Sequence, residues 1–361
     1  MSGDFVQRGE AALFDKFTRA EAACRSGADL VVELPLPWCL SSAEGFASGA
    51  VSLLAALGCE YLSFGSESGD LQALEQLASF AADPASTDRI RKKMELDSAL
   101  SFARARQLTA QEMLGDISAL LSNPNDILTV EYLKAVKKYN SSMRPLAIRR
   151  EGAAHDEPGG ERFRSAMELR EMIGRGEDPS PFLPAASAAV FEQAAACGRI
   201  RDEERLETAL LSRLYTLVPE DFDVLPDAEG GAGRRLYKAL REGGALSAAV
   251  QRASTKRYTA SRMRRMLMCA ALHVTAGDGK GTPPYIRVLA CTERGRRLIK
   301  ERKENCSPPV IIKPADVRLI GEHAGQVFSL GAQAHDFYTL GIRNRSGSQP
   351  DEDWRRNPVI V

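Results

Sequence analysis

Arg149 and Arg150 close an apolar run, Arg144-Pro145-Leu146-Ala147-Ile148, that reads as a strand. Guanidinium groups at a strand end can neutralise a phosphate, because their planar fork matches phosphate oxygens bidentately. A pair of solvated surface arginines is the plainer alternative. Gly65 follows a second short strand, Glu60-Tyr61-Leu62-Ser63-Phe64. A glycine there either lets a nucleotide approach the backbone closely or simply turns the chain. Asn125 stands in the turn Ser122-Asn123-Pro124-Asn125-Asp126, ahead of a helix over Ile127 to Lys138. Its amide could contact a nucleotide or cap that helix, and the two roles are compatible. Lys16 and Arg19 share one helix face and could meet phosphate, RNA or solvent. Glu33 ends another strand, as a site acid or as a cap for a neighbouring helix.

A second constellation is basic. Lys256, Arg257, Arg262, Arg264 and Arg265 flank Tyr258, a phosphate-reading pattern with one aromatic for stacking. Arg294, Arg296, Arg297 and Lys300 form a further cluster. Residues 251–303 hold 14 Lys and Arg against three acids, while residues 201–230 hold nine acids against three Arg. A local basic block in a chain of zero net charge fits contact with a polyanion such as RNA. A solvated helix face is the alternative.

Other chemistries are disfavoured. The seven cysteines are odd in number, scattered and never spaced Cys-x-x-Cys, which argues against a disulfide framework or zinc knuckle and for a reducing cytoplasm. The four histidines are equally dispersed, so no metal site is expected. No apolar run approaches the roughly 18 residues of a membrane helix. The start, Met1-Ser2-Gly3-Asp4-Phe5, is not a secretory signal.

These groups need elements to hold them. Asp15 to Ser26 reads as a helix closed by Gly27. Ala28-Asp29-Leu30-Val31-Val32-Glu33-Leu34-Pro35 reads as a buried strand. Ser41-Ser42-Ala43-Glu44 resembles a capping box opening a helix to Leu57. With the strand Glu60 to Phe64, this makes a βαβ unit in a parallel sheet, with ligands beyond the strands' carboxyl ends. Leu71 to Leu121 looks helical, and Glu151 to Gly160 is a glycine-rich loop. From Phe163 to about Lys303 the chain reads as helical, and Pro308 to Val361 as short apolar runs. With 361 residues, two domains are expected: an α/β Rossmann-like domain over 1–155, then a mostly helical domain over 156–361.

Met1-Ser2-Gly3-Asp4-Phe5-Val6-Gln7-Arg8-Gly9-Glu10 resembles a Met-Ser-Gly-Asn-Phe-x-Gln-Arg-Gly-Glu segment of the bacterial tRNA(Met) cytidine acetate ligase family. The resemblance continues in order through Glu33-Leu34-Pro35, Phe64-Gly65-Ser66-Glu67, Pro124-Asn125-Asp126-Ile127-Leu128 and Tyr132-Leu133-Lys134-Ala135. It then takes in Ile148-Arg149-Arg150-x-Gly152-Ala153, Thr255-Lys256-Arg257-Tyr258-Thr259 and Tyr285-Ile286-Arg287-Val288-Leu289. It implies a nucleotidyltransferase-like Rossmann domain and a helical RNA-binding domain. It implies ATP as a substrate, with Mg, and acetate activated to an acetyl-adenylate. The acetyl group then passes to the wobble cytidine of elongator tRNA(Met). Gly65, Asn125 and one of Arg149 and Arg150 match family contacts to ATP; no catalytic side chain is assigned.

The chain departs from the family pattern in one segment. Members begin with a strand and a Glu-Tyr-Asn-Pro-Phe-His-x-Gly-His loop that cradles ATP phosphates. The 361 residues contain no His-x-Gly-His string, so a domain without its first strand and with impaired activity is expected. A non-catalytic RNA-binding remnant is the alternative. Asp4 and Asp126 replace family asparagines and are expected to repel polyphosphate.

Overall fold

The computed structural model of the chain describes residues 1–97, 100–139, 142–151, 163–346 and 348–361. Strands β1 (Phe5–Val6) and β2 (Glu10–Ala11) precede α1 (Lys16–Arg25), β3 (Leu30–Glu33), α2 (Leu36–Cys39) and α3 (Ala43–Ala56). Then come β4 (Tyr61–Ser66), α4 (Leu71–Ala82), α5 (Pro84–Leu96), α6 (Phe102–Leu114), α7 (Pro124–Lys138) and β5 (Arg144–Arg149). Helices α8 (Ala166–Gly174), α9 (Ala185–Ala196), α10 (Glu203–Leu214), α11 (Ala232–Arg241), α12 (Leu246–Ala253) and α13 (Ala260–Ala271) follow. The chain ends with β6 (Ile286–Cys291), α14 (Glu293–Arg302), β7 (Val310–Ile311), α15 (Glu322–Leu340), α16 (Glu352–Arg355) and β8 (Val359–Ile360).

Two compact units emerge. The first gathers Met1–Ser42, Arg175–Ala253 and Ala260–Val361; the second holds Ala43–Gly174 and Ser254–Thr259. The sequence reading places one cut near residue 155, which lies outside the described residues. The observed division instead joins the first 42 residues to the C-terminal half. Strand pairing is the cause: β3 hydrogen-bonds antiparallel to β6, with Leu30 opposite Cys291 and Glu33 opposite Arg287.

That pairing corrects the expected βαβ unit. The strands on either side of α3 belong to different sheets, β3 with β6 and β4 with β5. It also adds a strand where helix was expected. β6 is buried along its whole length and pairs in parallel with both β7 and β8. An Ile-Arg-Val-Leu-Ala-Cys strand covered on both faces shows no alternation to betray it. The last stretch holds the 19-residue helix α15, where the sequence predicts only short apolar runs and a polar loop.

In the first unit, Asp15 caps α1 by accepting from the Phe17 and Thr18 amides at 2.9 Å. Phe17, Ala20 and Cys24 then pack on Val31, Leu289 and Ala290. Two glycines explain much of the Met1–Glu10 string. A Cβ on Gly3 would lie 2.8 Å from a Glu33 oxygen. Gly9 has φ +74°, and a Cβ there would meet the Arg264 backbone at 2.5 Å.

The second unit is a parallel pair covered on one face by helices. β4 and β5 run in register from Tyr61 opposite Arg144 to Ser66 opposite Arg149. Leu62 and Phe64 point inward and join Val51, Leu74, Leu77, Val130 and Leu133 in one core. Each such side chain contributes about 1.5–3 kcal/mol on burial. The other face leaves Tyr61, Leu146 and Ile148 exposed.

Candidate functional site

The parallel register brings the carboxyl ends of β4 and β5 to one edge of the second unit. The Arg150 amide extends the ladder by donating to the Ser66 carbonyl at 2.9 Å. The stems of both arginines lie on glycines. A Cβ on Gly65 would sit 3.6 Å from Arg150 Cγ, and one on Gly69 would sit 3.0 Å from Arg149 Cβ. Gly69 has φ +67°, so a glycine suits both its backbone and its neighbour. Arg149 and Arg150 are exposed, and among the described residues neither has a carboxylate partner. Among the described residues their heads are thus unpaired cationic donors.

The loop after β4 is locked to the start of α7 by two carboxylates. Glu67 accepts from the Asn125 side-chain amide at 2.7 Å, the Asn125 backbone at 3.2 Å and the Asp126 backbone at 2.9 Å. It therefore covers the N–H groups that a helix start exposes. Asp126, fully buried, accepts from the Glu67 amide at 3.1 Å, the Ser68 amide at 3.3 Å and Asn123 Nδ2 at 2.9 Å. The Ser66 hydroxyl donates to it as well. The expectation that Asp126 repels polyphosphate is thereby corrected, since its charge is held by donors of its own loop. Gly65, Asn125, Arg149 and Arg150 all stand in this unit: Gly65 inside β4 opposite Ile148 rather than after the strand, Asn125 at the helix start, and Arg149 and Arg150 at the end of β5.

The first unit buries a charge network that the sequence did not reveal. Lys16 Nζ donates to Glu33 at 3.0 Å and to Asp353 at 2.6 Å. Arg287 reaches Glu33 at 3.0 Å and both Asp353 carboxylate oxygens at 2.8 and 2.9 Å. Burial alone would raise the Asp353 pKa, but Lys16 and Arg287 hold it far below the usual carboxylate range. Lys16 and Glu33 are thus partners in a core, not groups facing phosphate or capping a helix. Arg19 likewise turns inward, donating to the carbonyls of Phe14 at 2.9 Å and Ser2 at 3.2 Å. No local signal marks this network, because Lys16 and Asp353 stand 337 positions apart.

Asp4 belongs to the same interior. Its carboxylate accepts from the Lys16 backbone at 2.7 Å and pairs with His335 Nδ1 at 2.8 Å. Burial opposes the charge on each, yet their attraction prevails: Asp4 drops to about 2 and His335 rises to about 10. Asp4 is therefore neutralised inside the core, which corrects its expected place beside polyphosphate.

The basic residues divide between the units. Lys256 and Arg257 fall in the second and are exposed. Arg262, Arg264 and Arg265 lie on α13 in the first, all partly buried. Arg262 Nε donates to the Asp227 carbonyl at 2.9 Å, Arg265 reaches the Asp227 carboxylate at 3.4 Å, and Arg264 Nε donates to the Arg8 carbonyl at 3.3 Å. Tyr258 is only 9% exposed and lies under its neighbour Arg257, so it is not an open stacking platform. By contrast, Arg294 and Arg296 on α14 keep 83% and 59% of their side chains in solvent.

A parallel strand pair whose carboxyl ends meet a helix start, beside two exposed arginines, is the kind of edge at which α/β folds bind nucleotides. A family model described as HIGH Nucleotidyl Transferase matches residues 1–353. The chain is 35% identical to the tRNA(Met) cytidine acetate ligase of Caldanaerobacter subterraneus subsp. tengcongensis, over 97% of this chain and 89% of that relative. It is 34% identical to the ligase of that name from Clostridium botulinum, over 100% and 90%. The crystal structure of Thermotoga maritima TmcAL in its apo form is similar with a TM-score of 0.93 and 28% identity, over 100% of this chain and 91% of that one. The same protein bound with alpha-thio ATP is similar with a TM-score of 0.90, at 28% identity and the same coverage. The chain belongs to the tRNA(Met) cytidine acetate ligase family, and is by that membership an enzyme of the ligase class.

Proposed function

We propose that the chain activates acetate with ATP and acetylates the wobble cytidine of elongator tRNA(Met). An acetate oxygen attacks the α-phosphorus, and pyrophosphate leaves with the electrons of the broken P–O bond. The cytidine amine then attacks the carbonyl carbon of the mixed anhydride, losing a proton as AMP departs. Negative charge grows on phosphate oxygens in the first step, where cationic donors lower the barrier. The observation that carries this reading is the pair of exposed guanidiniums of Arg149 and Arg150, unpaired among the described residues and braced on Gly69 and Gly65. Asn125 and Gly65 would line the same nucleotide site.

Lys256, Arg257, Arg262, Arg264 and Arg265 are the proposed RNA contacts, with the exposed Lys256 and Arg257 carrying the larger share. Magnesium would accompany ATP. Among the described residues no group of three or more His, Cys, Asp or Glu could hold a metal ion. Glu67 and Asp126 are already committed to N–H groups, so these residues do not form a metal cage. A cytoplasmic setting fits seven free thiols, and among the described residues no helix is long and apolar enough to cross a membrane.

The test is acetate-dependent ATP–pyrophosphate exchange together with transfer of labelled acetate to tRNA(Met). A chain that binds tRNA and never supports exchange would establish the non-catalytic RNA-binding alternative instead.

A further inference from the structure

We propose that the outward face of α14 is a preformed docking surface for the phosphate backbone of structured RNA. This rests on the tRNA reading above and adds a surface to it. Helix α14 and the residue after it carry Arg294, Arg296, Arg297, Lys300, Arg302 and Lys303 against Glu293 and Glu301. Its acids neutralise little. Arg296 meets Glu293 at 3.1 Å and Arg294 meets Asp29 at 3.6 Å, while among the described residues Arg297, Lys300, Arg302 and Lys303 have no carboxylate within reach. On α13, by contrast, the arginines are tied to Asp227 and to loop carbonyls. Uncompensated charge in the basic block is therefore concentrated on α14.

The helix is also held rigidly. Its N-cap Thr292 receives the Gly295 amide at 3.3 Å and donates to Asp29 Oδ1 at 2.8 Å, and the Thr292 amide donates to the Asp29 carbonyl at 3.0 Å. Gly295 packs so closely that a Cβ there would fall 1.9 Å from the Asp29 oxygen. Ile299 is buried one turn further on. Arg296, Lys300 and Lys303 then recur at helical spacing on another side, with Arg297 beside them. They extend about 10 Å along the axis, long enough to meet more than one phosphate.

RNA is favoured over an anionic membrane. The apolar side of α14 is already buried against the first unit's sheet, and only Leu298 is a large exposed hydrophobic, at 37%. A helix that lies in a lipid interface needs a free apolar face. Arginine heads, the majority here, suit bidentate phosphate contact.

The experiment measures binding of a tRNA(Met) transcript to the full chain and to its Arg297→Gln, Lys300→Gln, Lys303→Gln triple variant across a salt series. All three positions are exposed, and the buried Gly295 and Ile299 are untouched. The expected result is a slope of log affinity against log salt that falls by about one per residue, with affinity about tenfold or more weaker near physiological salt. Tight wild-type binding with an unchanged slope in the variant overturns the surface and leaves the function standing. A wild-type chain that does not bind tRNA overturns the function and the surface together. Loss of binding only to phosphatidylserine–phosphatidylcholine vesicles overturns the proposal in favour of a membrane.

Discussion

Glu67 and Asp126 cap each other. Each carboxylate accepts the other residue's backbone amide, at 2.9 Å for Glu67 and 3.1 Å for Asp126. One clasp thus fixes the loop after β4 to the start of α7, and with it the level at which Arg149 and Arg150 leave the sheet. Asp126→Asn tests the clasp. An amide cannot accept every bond that the buried carboxylate accepts, so a loss of about 1–3 kcal/mol is expected in denaturant melts. Unchanged stability would show that the buried charge is dispensable.

Arg149→Ala and Arg150→Ala should each weaken ATP binding by roughly 10- to 100-fold, the worth of a charge-assisted contact. Both side chains are exposed, so melting temperature should hold. Calorimetric titration with ATP decides between the two. If neither variant loses affinity, the phosphates are held elsewhere.

Gly65→Val should act on the ligand rather than the fold. The nearest atom to a new Cβ is Arg150 Cγ at 3.6 Å, an ordinary contact. Gly69→Ala makes the control, because φ +67° and Arg149 Cβ at 3.0 Å oppose any side chain there. Expected are weaker ATP binding at constant stability for the first and lower stability, by about 1 kcal/mol or more, for the second. Equal loss of stability in both variants would remove the assignment of Gly65.

The buried pair of Asp4 and His335 gives stability a pH signature. His335 is raised from 6.5 to about 10, so its contribution is complete below 6.5 and fades as pH climbs towards 10. Asp4 is lowered from 3.8 to about 2, so its contribution is complete above 3.8 and fades as pH falls towards 2. The expected curve has a plateau between about 4 and 6.5 with losses on both sides. In His335→Gln, which leaves Asp4 buried without its cation, a deficit of about 3–5 kcal/mol is expected near pH 6. That deficit should shrink towards pH 10. A deficit that stays constant from pH 6 to 10 would mean that the histidine is uncharged in the fold.

Much was legible locally. The helix from Asp15, the strand at Tyr61, the Pro124 helix start and the strand ending at Arg149 all carry short-range signals: caps, proline, β-branched and apolar runs. The residues proposed for the nucleotide site stand out for the same reason: Gly65, Asn125, Arg149 and Arg150 lie at or near the ends of β4, α7 and β5, where backbone chemistry constrains residue type. The strand β6 was not legible, since a run buried on both faces looks like a helix segment of similar length.

The sequence by itself determined the family and the α/β class, because ordered short strings and element ends are properties of neighbours along the chain. Tertiary structure alone decided which strands pair and which charges cancel. β3 joins β6 across some 250 positions, and Lys16 meets Asp353 across 337. Asp4 and Asp126, expected to face polyphosphate, are buried and hydrogen-bonded. Arg262, Arg264 and Arg265, read as free cations, became ties to a turn and a loop, while α14 kept its charges in solvent. A formal charge is written in the residue; whether it remains free depends on what the fold sets within hydrogen-bond distance of it.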